Sequence, residues 1–315
     1  MIYLSPLQGI TDYKFRNTYI KYFNCVDKFF SPYIRLSNKK EVKKSQLRDI
    51  LPENNIGIPL VPQIMVNNPD DFIFLANMLS GYGYDEVNWN LGCPFPMVTN
   101  RQLGSGLLGF PEKIDSILNE SLKNISIKVS VKMRLGLNQA NEIDEIVPVL
   151  NKHNLSEVII HPRTGKQLYK GRVDLDKFKE ISKLISHKIV YNGDIVGVEY
   201  YKKNIEQIAE NESIMIGRAL ISNPFLACEI KNSKTFTIEE KKQIFREFHD
   251  SLLLQVQNSL SGDSHVLSKM TNYWEYFSLF FENSRKVFKQ VKKTKHIKNY
   301  ERTIAEIFKN NTTSR

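Results

Sequence analysis

A chain of 315 residues is longer than one ordinary domain, and its 41% hydrophobic content is enough to bury a sizeable core. Lys and Arg outnumber Asp and Glu 44 to 34, a formal charge of +10 that favours a polyanionic partner, nucleic acid ahead of a membrane surface. Three widely spaced cysteines argue against a zinc knuckle, a CxxC redox pair and a disulfide scaffold, no apolar run is long enough to cross a bilayer, and the N-terminus does not read as a signal peptide, so a cytoplasmic setting is expected.

Short apolar runs alternate with amphipathic stretches. Strands are predicted at 2–5, 28–34, 60–65, 84–90, 127–133, 157–161, 188–192 and 213–217. Helical patterns fall between most of them, at 12–22, 69–80, 111–121, 142–153, 174–185 and 197–209, each opening near a Pro, Asp, Gly or Glu. Alternation argues for parallel strands, and eight such units for a TIM (β/α)8 barrel. A doubly wound open sheet is the alternative, but no GxGxxG follows the first strand. Beyond about residue 235 only helical periodicity remains, at 238–257, 266–291 and 300–308. The expected division is therefore a barrel over 1–235 and a small helical domain over 236–315.

Barrel enzymes work at the C-terminal ends of their strands. Those positions here hold Ser5-Pro6-Leu7-Gln8, Arg35, Gln63, Asn90, Lys132 with Arg134, His161 with Arg163, Asn192-Gly193-Asp194 and Gly217-Arg218. One polar strand end means little; a whole ring of them points to a polar site. Loops after the last two strands are where barrels hold phosphate, and Gly193, Gly217 and Arg218 suit that task. Lys132, at a barrel mouth, calls for an anionic partner, such as a reduced cofactor ring, or else a structural ion pair.

Cys93 lies between Gly92 and Pro94 in a tight loop that presents the thiol. A thiol with a pKa near about 8.5 is protonated at neutral pH and can donate a proton. Cys25 and Cys228, in helical contexts, are expected to be small apolar fillers. The loop carrying Lys166, Tyr169, Lys170 and Arg172 could clamp and stack on nucleic acid, or simply face water. The same choice applies to the tail lysines Lys286, Lys289, Lys292, Lys293, Lys295 and Lys298. No His/Cys spacing suggests a metal.

Taken together, Ser5-Pro6-Leu7-Gln8-Gly9-Ile10-Thr11-Asp12, Gln63, Asn90-Leu91-Gly92-Cys93-Pro94, Lys132-Met133-Arg134-Leu135-Gly136, His161-Pro162-Arg163-Thr164, Asn192-Gly193-Asp194 and Gly217-Arg218 resemble the tRNA-dihydrouridine synthase family in order and spacing, over residues 1 to about 225. The runs at 265–269 and 288–291 resemble its helical domain, closest to the C-type bacterial branch. The resemblance implies FMN in the barrel mouth, lined by Pro6, Leu7 and Gln8, contacted by Gln63, Lys132 and His161, and held at its phosphate by Asn192, Gly193, Asp194, Gly217 and Arg218. It implies NADPH as reductant, hydride delivery from reduced FMN to uridine C6, and Cys93 as the acid that protonates C5. Asn90, Arg134 and Arg163, joined by Arg35, are then expected to handle the target uridine of a tRNA. A monomer without metal or membrane attachment is expected. Two departures stand out: Leu7 where the family usually has Met, and Pro162 where Gly is usual.

Overall fold

The computed structural model describes residues 1–37, 39–208, 213–231 and 235–312. All strand pairings are parallel. The strands are β1 (Ile2–Leu4), β2 (Lys28–Phe30), β3 (Leu60–Val61), β4 (Gln63–Ile64), β5 (Glu86–Leu91), β6 (Lys128–Gly136), β7 (Val158–Thr164), β8 (Ile189–Asn192) and β9 (Ser213–Ile216). Their order is β3-β2-β1-β9-β8-β7-β6-β5-β4. The two ends of that order, β3 and β4, are halves of one stave interrupted at Pro62, which has no N–H to give to a ladder. Its carbonyl still accepts from the Asn88 N–H at 2.9 Å. Counted by staves, the sheet is thus the expected eight-fold barrel.

Helices return the chain between strands: α1 (Tyr13–Tyr22), α2 (Lys44–Ile50), α3 (Pro69–Gly81), α4 (Pro96–Thr99), α5 (Pro111–Ser121), α6 (Ile143–Asn151), α7 (Leu175–Ser182), α8 (Val198–Asn204), α9 (Arg218–Ser222) and α10 (Leu226–Ile230). Side chains fix several starts. Asp12, Asn68 and Asp174 accept the N–H of Phe15, Asp71 and Lys177, the N-cap contact that replaces a missing intrahelical bond. Part of the helix expected at 197–209 lies outside the described residues.

The barrel interior is filled, not hollow. Tyr3, Phe30, Val61, Ile159, Val190 and Met215 form one buried cluster from six strands. At the end where the strands begin, Glu157 accepts from the Tyr3 hydroxyl at 2.9 Å and from Lys28 at 3.0 Å. That ionic plug leaves the other end free for chemistry.

The helical region contains α11 (Ile238–Ser259), α12 (Asp263–Phe277), α13 (Ser284–Lys292) and α14 (Ile297–Asn310). The single helix expected at 266–291 is two, because the chain turns extended at Phe281 and buries Phe280 and Phe281 between them. The region packs on α1. Phe248 meets Phe15 edge-on at 5.9 Å and Phe23 at 5.3 Å, and Phe15 stacks on Tyr273 at 5.9 Å. The change of architecture near residue 235 therefore coincides with no break in the core: one apolar cluster spans both regions.

A second correction concerns the cysteines. Cys25 and Cys228 are not separate fillers; they are joined in a disulfide. It ties the segment after α1 to α10, beside the Lys231–Asp27 ion pair at 2.7 Å. Residues 203 apart meet because β1 and β9 are neighbours in the closed sheet.

Candidate active site

The strand ends that the sequence singled out converge at one mouth. Its best-built part surrounds Cys93, just past β5. Asn90, at the end of that strand, folds its side-chain carbonyl back to accept the backbone N–H groups of Gly92 at 3.0 Å and Cys93 at 2.9 Å. Its amide donates to Gln63 Oε1 at 2.7 Å, and Gln63 donates to Asn88 Oδ1 at 2.8 Å. Asn88 in turn donates to the Ser130 hydroxyl at 2.9 Å. A buried relay across β4, β5 and β6 thus sets the Cys93 loop, and the Gln63 amide is held at both ends.

The sequence reading missed the other side of this loop. Ser105 donates its N–H and its hydroxyl to the Cys93 carbonyl at 3.0 and 3.1 Å. Gly104 has φ +56°, and a Cβ there would lie 2.6 Å from the Cys93 carbonyl oxygen. Only glycine fits so close an approach. The Gly-Ser-Gly run 104–106 was the available signal. Burial pushes the Cys93 thiol up, while the Phe95 N–H and the charges of Arg134, Lys132 and Arg35 pull the other way; the net shift is upward. The sulfur is therefore a protonated acid at neutral pH.

Cations crowd the same mouth. Burial, then the neighbouring Arg134, brings Lys132 down to about 7. Among the described residues no carboxylate lies within ion-pair distance of it. Burial, reinforced by Arg134, Lys132, Arg163 and Arg218, holds His161 well below the usual imidazole range, so it is neutral. The Arg163 guanidinium lies 3.2 Å from His161 Nε2. A buried lysine with no carboxylate partner among the described residues, beside a neutral imidazole, suits an anionic ligand.

Arg134 and Arg163, expected at the substrate, are buried and bonded to the scaffold. Arg134 donates to the carbonyls of Gly92 at 3.1 Å and of Thr164 and Leu168 at 2.7 Å each. Arg163 forms a forked pair with Asp194 and also donates to the Gly171 carbonyl at 2.6 Å. Asp194 lies 3.7 Å from Arg218 as well, so one carboxylate organises both cations. Asn192 donates to the Met215 carbonyl at 2.8 Å, tying β8 to β9. Pro6 and Leu7 are half-buried at the mouth, Gln8 is exposed, and Arg35 is half-buried. Pro162 sits within β7, and with its neighbour Arg163 clamped by Asp194 the stiffer residue is accommodated.

Two further residues join this site. Tyr169 carries the Arg218 guanidinium 4.2 Å and the Arg134 guanidinium 5.4 Å from its ring centre, and it is half exposed at the mouth. Lys269, from α12, donates to the Gly9 carbonyl at 2.7 Å and pairs with Asp12 at 2.9 Å, so the helical region braces the Leu7-Gln8-Gly9 turn. The lysines from α13 to the start of α14 (Lys286, Lys289, Lys292, Lys293, Lys295 and Lys298) are all exposed.

The residues present fit a flat anionic cofactor. Lys132 has no carboxylate partner among the described residues, and the Arg218 guanidinium, directly after β9, stays half exposed 3.7 Å from Asp194. Among the described residues no group of three or more His, Cys, Asp or Glu could hold a metal, and no helix is long and apolar enough to cross a membrane. Fold and site together define a (β/α)8 barrel with a protonated thiol and a cluster of cations at one mouth.

Comparison with known proteins narrows the class. The family described as Dihydrouridine synthase (Dus) matches residues 3–312. The tRNA-dihydrouridine synthase B of Pasteurella multocida is 31% identical over 227 residues, 71% of this chain and 67% of the relative. The tRNA-dihydrouridine(16) synthase of Haemophilus ducreyi is 26% identical over 306 residues, 94% of this chain and 91% of the relative. The fold is similar to that of morphinone reductase, with a TM-score of 0.52 at 10% identity, covering 74% of this chain and 87% of that one. That likeness is one of fold alone. The chain belongs to the dihydrouridine synthase family, flavin-dependent oxidoreductases that act on tRNA.

Proposed function

We propose that this chain reduces the C5=C6 bond of a uridine in tRNA to 5,6-dihydrouridine, with FMN in the barrel mouth and NADPH as reductant. The observation that carries the reading is the protonated Cys93 thiol, gripped by Asn90 on one side and by Gly104-Ser105 on the other, near the buried Lys132, which has no carboxylate partner among the described residues. When bound, the flavin supplies the hydride that goes to C6 of the uracil ring.

The chain does the rest. Pro6, Leu7 and Gln8 would line the cofactor, Lys132 and neutral His161 would bear on its ring, and Gly193, Gly217 and Arg218 would hold its phosphate, with Asn192 and Asp194 keeping those loops in place. Gln63 acts at one remove, by holding Asn90. Lys132 favours negative charge on the ring through its own positive charge. Cys93 gives its proton to C5 from the opposite face, and the Arg134 and Lys132 charges stabilise the thiolate left behind. Arg134 and Arg163 serve by fixing the loops around the target, Arg35 by facing the RNA directly. The base must leave its stack to enter so enclosed a mouth. The exposed lysines near α13 and the loop at Lys166, Lys170 and Arg172 supply phosphate contacts.

A relative matched over 94% of this chain is named for position 16, which makes that uridine the first to examine. A monomer working in the cytoplasm, where tRNA is processed, fits this reading. The test is incubation of the flavin-loaded protein with NADPH and an unmodified tRNA transcript, then mass-spectrometric mapping of dihydrouridine. A purified protein that takes up FMN and is reduced by NADPH, yet leaves every uridine unchanged, defeats the proposal. Activity on free uracil but not on RNA points instead to a small-molecule reductase.

A further inference from the structure

Beside the mouth, on the side of β2 and β4, lies a cavity of about 460 Å³. Its rim carries Arg35, Lys39, Lys43 and Arg101, and its accessible apolar lining includes Leu36 and Leu103. The one carboxylate in the lining, Asp71, is already engaged: it pairs with Lys40 and accepts from the Asn68 amide at 3.0 Å. Among the described residues none of the four rim cations has a carboxylate within ion-pair distance. Four uncompensated positive charges around an apolar lining form a site for a ligand with both an anionic and a flat apolar part.

The cavity shares its walls with the reaction site. Arg35 lines it, and the charge of that residue is felt at the Cys93 thiol. Leu103 lines it too, and the next two residues, Gly104 and Ser105, are those that hold Cys93. The walls are built. Asn67 donates to the Arg101 carbonyl at 2.8 Å, and Leu36 bridges to Val42 to close the turn that carries Lys39.

We propose that this cavity binds the nucleotide adjacent to the target uridine, its phosphate on Arg35, Lys43 and Arg101 and its base over Leu36 and Leu103. The inference rests on the RNA-reductase reading and adds a second, neighbouring nucleotide pocket that helps set which uridine can reach Cys93. A ligand covalently continuous with the target is what adjoining walls favour, since the two pockets then engage one strand together.

The test compares flavin-loaded wild type with a Lys43→Glu/Arg101→Glu variant and with a Lys123→Glu/Lys128→Glu control of equal charge change at the opposite end of the barrel. Affinity for an unmodified tRNA transcript is measured over a salt series, apart from turnover. Flavin content and melting temperature report folding. The expected result is a Kd raised on the order of tenfold and a salt slope reduced by about two in the cavity variant alone. Equal weakening by the control reduces the effect to net charge and overturns the proposal, as does an unaltered Kd in the folded cavity variant. A wild type that binds tRNA but forms no dihydrouridine defeats the functional reading instead, and the ratio of affinities still decides on the cavity.

Discussion

Asn90 accepts the Cys93 N–H at 2.9 Å while its own amide donates to Gln63 at 2.7 Å. The position of the thiol is thus fixed from inside the barrel, through a residue that strand pairing already locks. An acid placed by the sheet keeps its geometry when a large, flexible RNA docks outside.

Removing the thiol and removing its support should therefore both slow turnover, the first more than the second. Cys93→Ala is expected to lower single-turnover reduction of tRNA uridine by roughly 10² to 10⁴, the usual worth of a positioned general acid. Asn90→Ala is expected to lose at least roughly tenfold, because the loop loses its hold. Both should retain FMN, read from absorbance of the purified protein. Wild-type turnover in Cys93→Ala removes the acid assignment.

Gly104→Ala tests the same loop from the other side. The new methyl meets the Cys93 carbonyl at 2.6 Å, and φ +56° is unfavourable for alanine. A loss of about 1–3 kcal/mol in unfolding free energy is expected, with a fall in turnover. Chemical denaturation and single-turnover assays read the two effects separately. A variant as stable and active as wild type would show that the loop can retreat.

Much of this was legible in the sequence, and the reasons differ by residue. Strand ends carrying Asn90, Lys132, His161 and Gly217 follow from the alternation of apolar runs, because a barrel turns every strand end to one face. What each side chain bonds to does not follow. Arg134 and Arg163 read as free cations, yet their acceptors are carbonyls and a carboxylate that only the folded loops bring near. Helix α2 was missed because its seven residues carry too few apolar positions to show a period. The Cys25–Cys228 bond was invisible for the same reason as the Arg163–Asp194 pair: tertiary closure, not spacing, sets it.

Lys132 gives the cofactor-free protein a distinctive pH response. Its folded-state pKa of about 7 lies well below the unfolded value of about 10.4. Between those values the unfolded chain binds more protons, so this group makes stability rise with pH, with the full cost of its buried charge present below about 7. Lys28 and Lys188, whose pKa values are raised, act in the opposite sense only above the ordinary lysine range. The flavin-free protein is expected to gain melting temperature from pH 7 to 9, and Lys132→Met to lose that gain. Parallel pH profiles for the two proteins would show that Lys132 is not the group responsible.

The disulfide offers the sharpest test of how the barrel is closed. A bond between residues 203 apart removes much of the unfolded chain's freedom, about 5 kcal/mol in the chain-entropy account. The Lys231–Asp27 ion pair and the Phe23–Phe225 edge contact at 5.0 Å hold the same seam without it. Cys25→Ser/Cys228→Ser is therefore expected to fold and bind FMN, but to melt several degrees lower than the oxidised protein. Reduction of wild type with a thiol reductant should reproduce that drop and leave the double variant unchanged. If the reductant shifts both proteins alike, or neither, the seam owes its stability to packing and not to the bond.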